Sequence, residues 1–188
     1  REVLKDEVFF RASGGGVTLS GGEVLMQAVF AARFLQHLRH WGVRTAIETA
    51  GDCAFSRFLP VAEACDEILF DLKIMNSEQA HSLLQMNQPR VLDNFRQLAI
   101  RKMNLIPRVP LIPGYTMNTE NFKQILKFLA PFGLTEIHLL PFHQYGEAKY
   151  RLLGKTWPLA NVNAPREADI HPYQALAEAA GYHVTIGG

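Results

Sequence analysis

Cysteine is nearly absent from this 188-residue chain, which carries only Cys53 and Cys65. Their spacing is neither that of a Cys-x-x-Cys site nor that of a disulfide framework, so the sequence offers no cluster-binding loop and no cross-linked scaffold. Charge of one sign is missing too. Nineteen Lys and Arg stand against eighteen Asp and Glu, a net charge of +1, which gives no electrostatic footprint for nucleic acid. No apolar run approaches the ~20 residues of a membrane span, and no signal-like leader is present, so the cytosol is the expected compartment. Linkers, low-complexity tracts and repeats of residue identity are also lacking, and a single domain over residues 1–188 is expected. What remains is 48% hydrophobic and 20% charged, the balance of a globular chain able to bury a core.

That apolar content is organised. Short β-rich runs recur at Gly16–Leu19, Arg44–Glu48, Glu67–Leu72, Asn104–Leu111, Glu136–Pro141 and His183–Ile186. Continuous apolar stretches such as Ile68-Leu69-Phe70 suit parallel strands covered on both faces. Between them lie helical patterns. Val24 to Trp41 has a broad apolar arc, with Arg33, His37 and His40 on a face that reads as solvated. From Asn118 to Phe132, Phe122, Ile125, Leu126 and Leu129 form a stripe, Asn118 or Thr119 is placed to cap it, and Gly133 to end it. Strand and helix alternating in units of ~30 residues predict an α/β fold with parallel strands. There are too few units for a closed barrel of ~250 residues, so the expected architecture is a partial (βα) TIM-like barrel, truncated at the N-terminal side.

In such folds ligands meet the carboxyl ends of the strands. The first end is Ser13-Gly14-Gly15-Gly16-Val17-Thr18-Leu19-Ser20-Gly21-Gly22-Glu23, two glycine clusters around a short strand. It is not a phosphate loop, because no Gly-Lys-Ser/Thr follows, and two tight turns would explain the glycines equally well. The next ends are Glu48-Thr49-Ala50-Gly51-Asp52-Cys53 and Asp71-Leu72-Lys73, then Arg108 and His143. A lysine just past an apolar strand suits an anionic group, or else a local ion pair with Asp71. Cys53 reads as a passive thiol and Cys65 as a small buried hydrophobe. A titratable residue at strand end after strand end points to a ligand site.

In their order along the chain, these segments resemble a known family. Gly14-Gly15-Gly16-Val17-Thr18-Leu19-Ser20-Gly21-Gly22-Glu23 is similar to the glycine-rich signature of the activating enzymes of glycyl radical enzymes, in the radical S-adenosylmethionine superfamily. Asp71-Leu72-Lys73, Leu139-Leu140-Pro141-Phe142-His143-Gln144-Tyr145-Gly146, Lys149-Tyr150 and Leu152-Leu153-Gly154 follow as in activases of pyruvate formate-lyase. The resemblance implies S-adenosylmethionine and a [4Fe–4S] cluster as cofactors, a pyruvate formate-lyase-like partner, and an electron donor such as reduced flavodoxin. From the charge balance and the lack of a long apolar run, no nucleic acid and no membrane are expected as partners. By the same resemblance Ser20, Gly21, Gly22 and Glu23 grip the methionine end, with Gly22 nearest the amino group. Glu48 and Thr49 join them, and Asp71, Leu72 and Lys73 follow the ligand, with Lys73 facing its carboxylate. His143 would meet the nucleoside and Arg108 line the same cavity.

The chain also departs from the family pattern. No Cys-x3-Cys-x2-Cys loop is present, Val24 replaces the Pro that often follows Gly-Gly-Glu, and Glu48-Thr49-Ala50-Gly51 stands where the best-known activase has Asp-Thr-Asn-Gly. That last position is where the family places a monovalent cation. Because the chain opens on Arg1 within a helical pattern, it is expected to be a piece of a longer protein, inactive without a cluster motif upstream. The alternatives are a cluster-free module that docks the partner enzyme or a nucleotide, and a generic βα enzyme with phosphate on its glycine loops. With its pairing strand expected upstream, Val17-Thr18-Leu19 would form an edge shielded by self-association, by crystal contacts or by residues 1–10 folding back.

Overall fold

The computed structural model describes residues 2–187. Six strands follow chain order in one sheet: β1 Gly16–Leu19, β2 Arg44–Thr49, β3 Glu67–Asp71, β4 Leu105–Leu111, β5 Glu136–Pro141 and β6 His183–Ile186. An unreversed order is that of successive (βα) units; a doubly wound sheet would reverse at a switch point. The α/β class with parallel strands expected from the sequence is therefore what the chain adopts. Strand limits differ from expectation by one residue at Thr49, Asp71 and Leu105.

Two compact units divide the chain: the chain through Asp71 together with Ser77–Pro107, and Leu72–Asn76 together with Arg108 onward. In the first, β1 pairs parallel with β2 and β2 with β3, in the registers Thr18↔Ala46 and Ile47↔Ile68. Its helices are α1 Glu7–Ser13, α2 Ala28–His40, α3 Phe55–Ala64, α4 Ser77–Leu84 and α5 Gln88–Ile100. A 3-10 turn, Val24–Gln27, precedes α2, so the single expected helix is two elements. Ala28, Ala31, Ala32, Leu35 and Leu38 recur at helical spacing and are buried, whereas Arg33, His37 and His40 are exposed as the pattern predicted. At the centre of this unit Phe70 of β3 stacks on Phe58 at 6.1 Å between centroids and meets Phe95 edge-on at 5.0 Å. All three rings are fully buried. Val3–Asp6 is a 3-10 turn leading into α1, and Phe10 and Arg11 line a hollow with Trp41 and Arg44.

In the second unit β4 pairs parallel with β5 and β5 with β6, registering Arg108↔His138 and His138↔Thr185. Its helices are α6 Thr119–Leu129, α7 Gly146–Leu152 and α8 Glu167–Ala179. The predicted stripe of α6 is buried at Phe122, Ile125, Leu126 and Leu129, and Phe122 meets Tyr173 of α8 edge-on at 5.3 Å. Of the two capping candidates it is Asn118 that acts, accepting the Asn121 N–H at 3.0 Å. A last 3-10 turn, Ala130–Phe132, then ends at Gly133, whose φ of +66° is left-handed.

Candidate functional site

At the end of β1 the chain turns through Ser20, Gly21 and Gly22, all exposed. Gly21 has φ +122°, and a Cβ at either glycine would meet nothing within 4 Å. These glycines are thus not demanded by neighbouring side chains; they leave backbone open at a strand end, where a ligand can approach closely. The Ser20 hydroxyl donates to the half-buried Glu48 carboxylate of β2. That pair links the first two strand ends.

Glu23 is held by three hydrogen bonds. Its Oε1 accepts the Thr49 hydroxyl at 2.6 Å and the Leu25 N–H at 3.1 Å, while Oε2 accepts the Ala50 N–H at 3.1 Å. The carboxylate therefore caps the turn that opens the next helix and ties it to the end of β2. Charge-assisted bonds of this kind are each worth ~1.5–3 kcal/mol when well shielded, less where half exposed. Thr49 is buried, and its hydroxyl also accepts the Gly51 N–H at 2.9 Å. So Glu23 and Thr49 act together as a brace, and they hold the strand ends that carry Ser20 and Glu48.

Three further residues in this unit complete the brace: Gly51 and Asp52 of the strand end already noted, and Asn94, which the sequence reading did not single out. Asn94 of α5, buried among Val91, Phe95 and Leu98, donates to the Gly51 carbonyl at 2.7 Å and the Cys53 carbonyl at 2.8 Å. A lone amide on an apolar helix face was the available signal. Asp52 accepts the Asn87 N–H at 3.0 Å and Arg90 Nε at 2.8 Å, fastening the start of α5 to the same loop. Gly51 itself, at φ +68°, lies against Phe70, where a Cβ would come within 2.3 Å of Cζ. Asp71 ends β3 half-buried.

Neither cysteine is poised to react. Both are half-buried. Burial, with Glu23 adding to it, pushes the Cys53 thiol up, and burial pushes Cys65 up to about 12. They sit just beyond opposite ends of the ten-residue helix α3, ~15 Å of helix at 1.5 Å per residue. They cannot share one cluster, and no trio of His, Cys, Asp or Glu among the described residues could hold a metal ion.

The second unit carries Leu72, Lys73, Arg108 and His143. Leu72 is buried and contributes backbone, its N–H donating to the Arg108 carbonyl at 2.8 Å. Lys73 is half-buried, and Arg108 is only 6% exposed within β4. Asn121 of α6 donates to the Lys73 carbonyl at 2.8 Å and accepts the Met75 N–H at 2.8 Å. His143, exposed just past β5, accepts the Tyr145 N–H on Nδ1 at 3.3 Å and lies 4.3 Å from the Tyr145 ring. In the neutral tautomer that bond leaves Nε2 as the ring's donor. Gln144 next to it donates to the carbonyls of Leu159 at 3.0 Å and Val162 at 2.7 Å and accepts Trp157 Nε1 at 2.5 Å. The loop after α7 is thereby folded back onto the segment that bears His143.

In the first unit the half-buried Glu48 offers a carboxylate beside open glycine backbone, and in the second Lys73 and Arg108 are cations and His143 a ring donor beside Tyr145.

No family model matches the chain. It is 62% identical over all 188 residues to the pyruvate formate-lyase 2-activating enzyme of Escherichia coli K12, and spans 64% of that protein's length. With the pyruvate formate-lyase 1-activating enzyme of the same organism it shares 30% identity over 98% of the chain, covering 76% of the relative. A crystal structure of a domain of the pyruvate-formate lyase-activating enzyme from Bacteroides vulgatus superposes with a TM-score of 0.76 at 27% identity, over 93% of this chain and 99% of that one. The chain belongs to the family of pyruvate formate-lyase activating enzymes, the radical S-adenosylmethionine activases of glycyl radical enzymes.

Proposed function

We propose that the complete protein is an oxidoreductase that activates a pyruvate formate-lyase-like glycyl radical enzyme, and that residues 1–188 hold its S-adenosylmethionine. The observation that carries this reading is the pairing of Ser20 with Glu48 at the ends of β1 and β2, beside open glycine backbone, in a chain 62% identical to a pyruvate formate-lyase activating enzyme. With its cofactors bound, the chemistry supplied is one-electron cleavage of the sulfonium to methionine and a 5′-deoxyadenosyl radical, which takes a hydrogen atom from a glycine of the partner.

The chain's own residues bind and orient. Lys73 neutralises the methionine carboxylate, while Glu48 and the carbonyls around Gly21 and Gly22 receive its ammonium. Asp71 accepts from the ribose hydroxyls. His143 donates to the base from Nε2, and Arg108 lines the cavity beside it. Glu23 and Thr49 hold the first two strand ends in register by the brace described above. A site of this kind fixes the cofactor and excludes water, and the difficult chemistry stays with the cofactors.

The described residues do not fit a [4Fe–4S] cluster, since two thiols at opposite ends of α3 cannot supply its three thiolates. We assign its ligands to sequence outside residues 1–188, and the electron donor to a reduced flavodoxin in the cytosol. No described helix is long and apolar enough to cross a membrane.

The test is anaerobic reconstitution of the complete gene product with iron and sulfide. Reduction in the presence of S-adenosylmethionine should yield 5′-deoxyadenosine, and addition of the partner should yield its glycyl radical signal. A complete product with no Cys-x3-Cys-x2-Cys loop would instead make the protein a docking module for the partner or a nucleotide. Lys73→Ala should weaken S-adenosylmethionine binding by ~1.5–3 kcal/mol if the contact is buried. Unchanged affinity in a folded Lys73→Ala protein would remove Lys73 from the site.

A further inference from the structure

Lys73 stands past the end of β3, where the ladder no longer fixes the backbone. Even so, the segment Leu72–Met75 keeps the alternation of a strand: Leu72 and Ile74 are buried, and Lys73 and Met75 are half-buried. Leu72 is still held by the Arg108 carbonyl at 2.8 Å. Beyond it, the partner is a side chain. Asn121 Nδ2 donates to the carbonyl of Lys73 and Asn121 Oδ1 accepts the N–H of Met75, both at 2.8 Å. In an extended chain the carbonyl of one residue and the N–H two residues on open to the same side, the pair that a neighbouring strand would satisfy. A carboxamide carries the same donor and acceptor as a peptide group, so one asparagine extends the ladder by one residue.

We infer that Asn121 is a positioning residue for Lys73, and through it for the carboxylate of the bound ligand; this rests on the proposed reading of Lys73. The placement of Asn121 is itself secured. It is the third residue of α6, its N–H is held by the Asn118 side chain at 3.0 Å, and the following Phe122 is buried. The clamp is specific to an amide of this length. Aspartate has no donor for the Lys73 carbonyl, leucine has neither group, and glutamine is one methylene too long for the same reach. Without the clamp the four-carbon lysine stem starts from a backbone that has lost two hydrogen bonds, and the charge it delivers is spread over more positions.

The experiment is a double-mutant cycle in the complete, cluster-reconstituted protein, with S-adenosylmethionine affinity read by anaerobic calorimetry. Asn121→Ala should weaken binding roughly three- to tenfold, the value of one or two net hydrogen bonds. The pair Lys73→Ala with Asn121→Ala should bind no more weakly than Lys73→Ala alone, because both changes remove one interaction. Hydrogen exchange at the Met75 amide should speed up in Asn121→Ala with or without Lys73. Additive losses would show that Asn121 acts independently of Lys73 and overturn the inference, as would unchanged affinity in Asn121→Ala. If Asn121→Ala fails to fold, Asn121→Asp, which keeps the acceptor for Met75, carries the same cycle. No binding by the unsubstituted protein would defeat the ligand reading itself and this inference with it. Binding that survives Lys73→Ala undiminished would remove Lys73 alone and overturn the inference while leaving the ligand reading standing.

Discussion

Replacing Gly51 by alanine tests whether the end of β2 is braced from below. The residue lies at φ +68°, and an added Cβ would sit 2.3 Å from Phe70 Cζ and 2.7 Å from Cε2. Phe70 cannot yield cheaply, because its ring is fully buried between Phe58 and Phe95. The left-handed backbone costs ~1–2 kcal/mol for a residue with a Cβ, and overpacking a filled core adds ~1–3 kcal/mol. Gly51→Ala should therefore lose ~2–5 kcal/mol. Gly133 supplies the control: its φ is +66° but an added Cβ would meet nothing within 4 Å, so Gly133→Ala should lose only the ~1–2 kcal/mol backbone cost. Urea denaturation of both variants beside the parent, compared at equal slope, separates the two contributions. A functional difference should follow. Gly51 donates to Thr49 Oγ1, which in turn holds Glu23, so Gly51→Ala should also weaken S-adenosylmethionine binding whereas Gly133→Ala should not. Equal destabilisation by the two substitutions would refute the steric argument, and unaltered binding in Gly51→Ala would refute the brace.

Other perturbations probe the same scaffold. Asn94→Ala leaves the carbonyls of Gly51 and Cys53 without their buried donor and should cost ~1–3 kcal/mol; a loss below ~0.5 kcal/mol in thermal or urea unfolding would show the amide to be dispensable. Burial holds the Cys65 thiol up to about 12 against 9.0 when unperturbed, so above pH 9 the unfolded chain gives up this proton while the folded chain keeps it. Stability should therefore fall as pH rises from about 9 toward 12, and Cys65→Ala should flatten that decline; parallel pH profiles for parent and variant would contradict it. Residues 1–188 alone, given iron and sulfide anaerobically, should assemble no stoichiometric [4Fe–4S] absorbance, and cluster absorbance lost on replacing Cys53 and Cys65 would prove otherwise. As β1 is the first strand of the sheet, hydrogen exchange across Val17, Thr18 and Leu19 reports its cover. Protection that fades on dilution would mean self-association, and fast exchange at every concentration an open, hydrated edge.

Much of this protein could be read along its chain, because strands and helices are written in local patterns of burial. The runs at Gly16–Leu19, Glu136–Pro141 and His183–Ile186 became strands with those limits, and the stripe Phe122, Ile125, Leu126, Leu129 became the buried face of α6. The polar residues at successive strand ends were legible for the same reason: a βα unit puts its strand end at a predictable place in sequence. Partners were not legible. Nothing near Glu23 in sequence pointed to the bonds its oxygens accept from Thr49 and Ala50, more than twenty positions away. Asn94 reaches Gly51 across 43 positions, and Asn121 reaches Lys73 across 48. Hydrogen bonds across such separations depend on how helices settle against strands, which side-chain packing decides and no local period encodes. The sequence by itself determined the elements, their order and the chemistry offered at each strand end. Only the tertiary structure decided which distant groups those polar residues bond to, because that depends on how helices pack against strands.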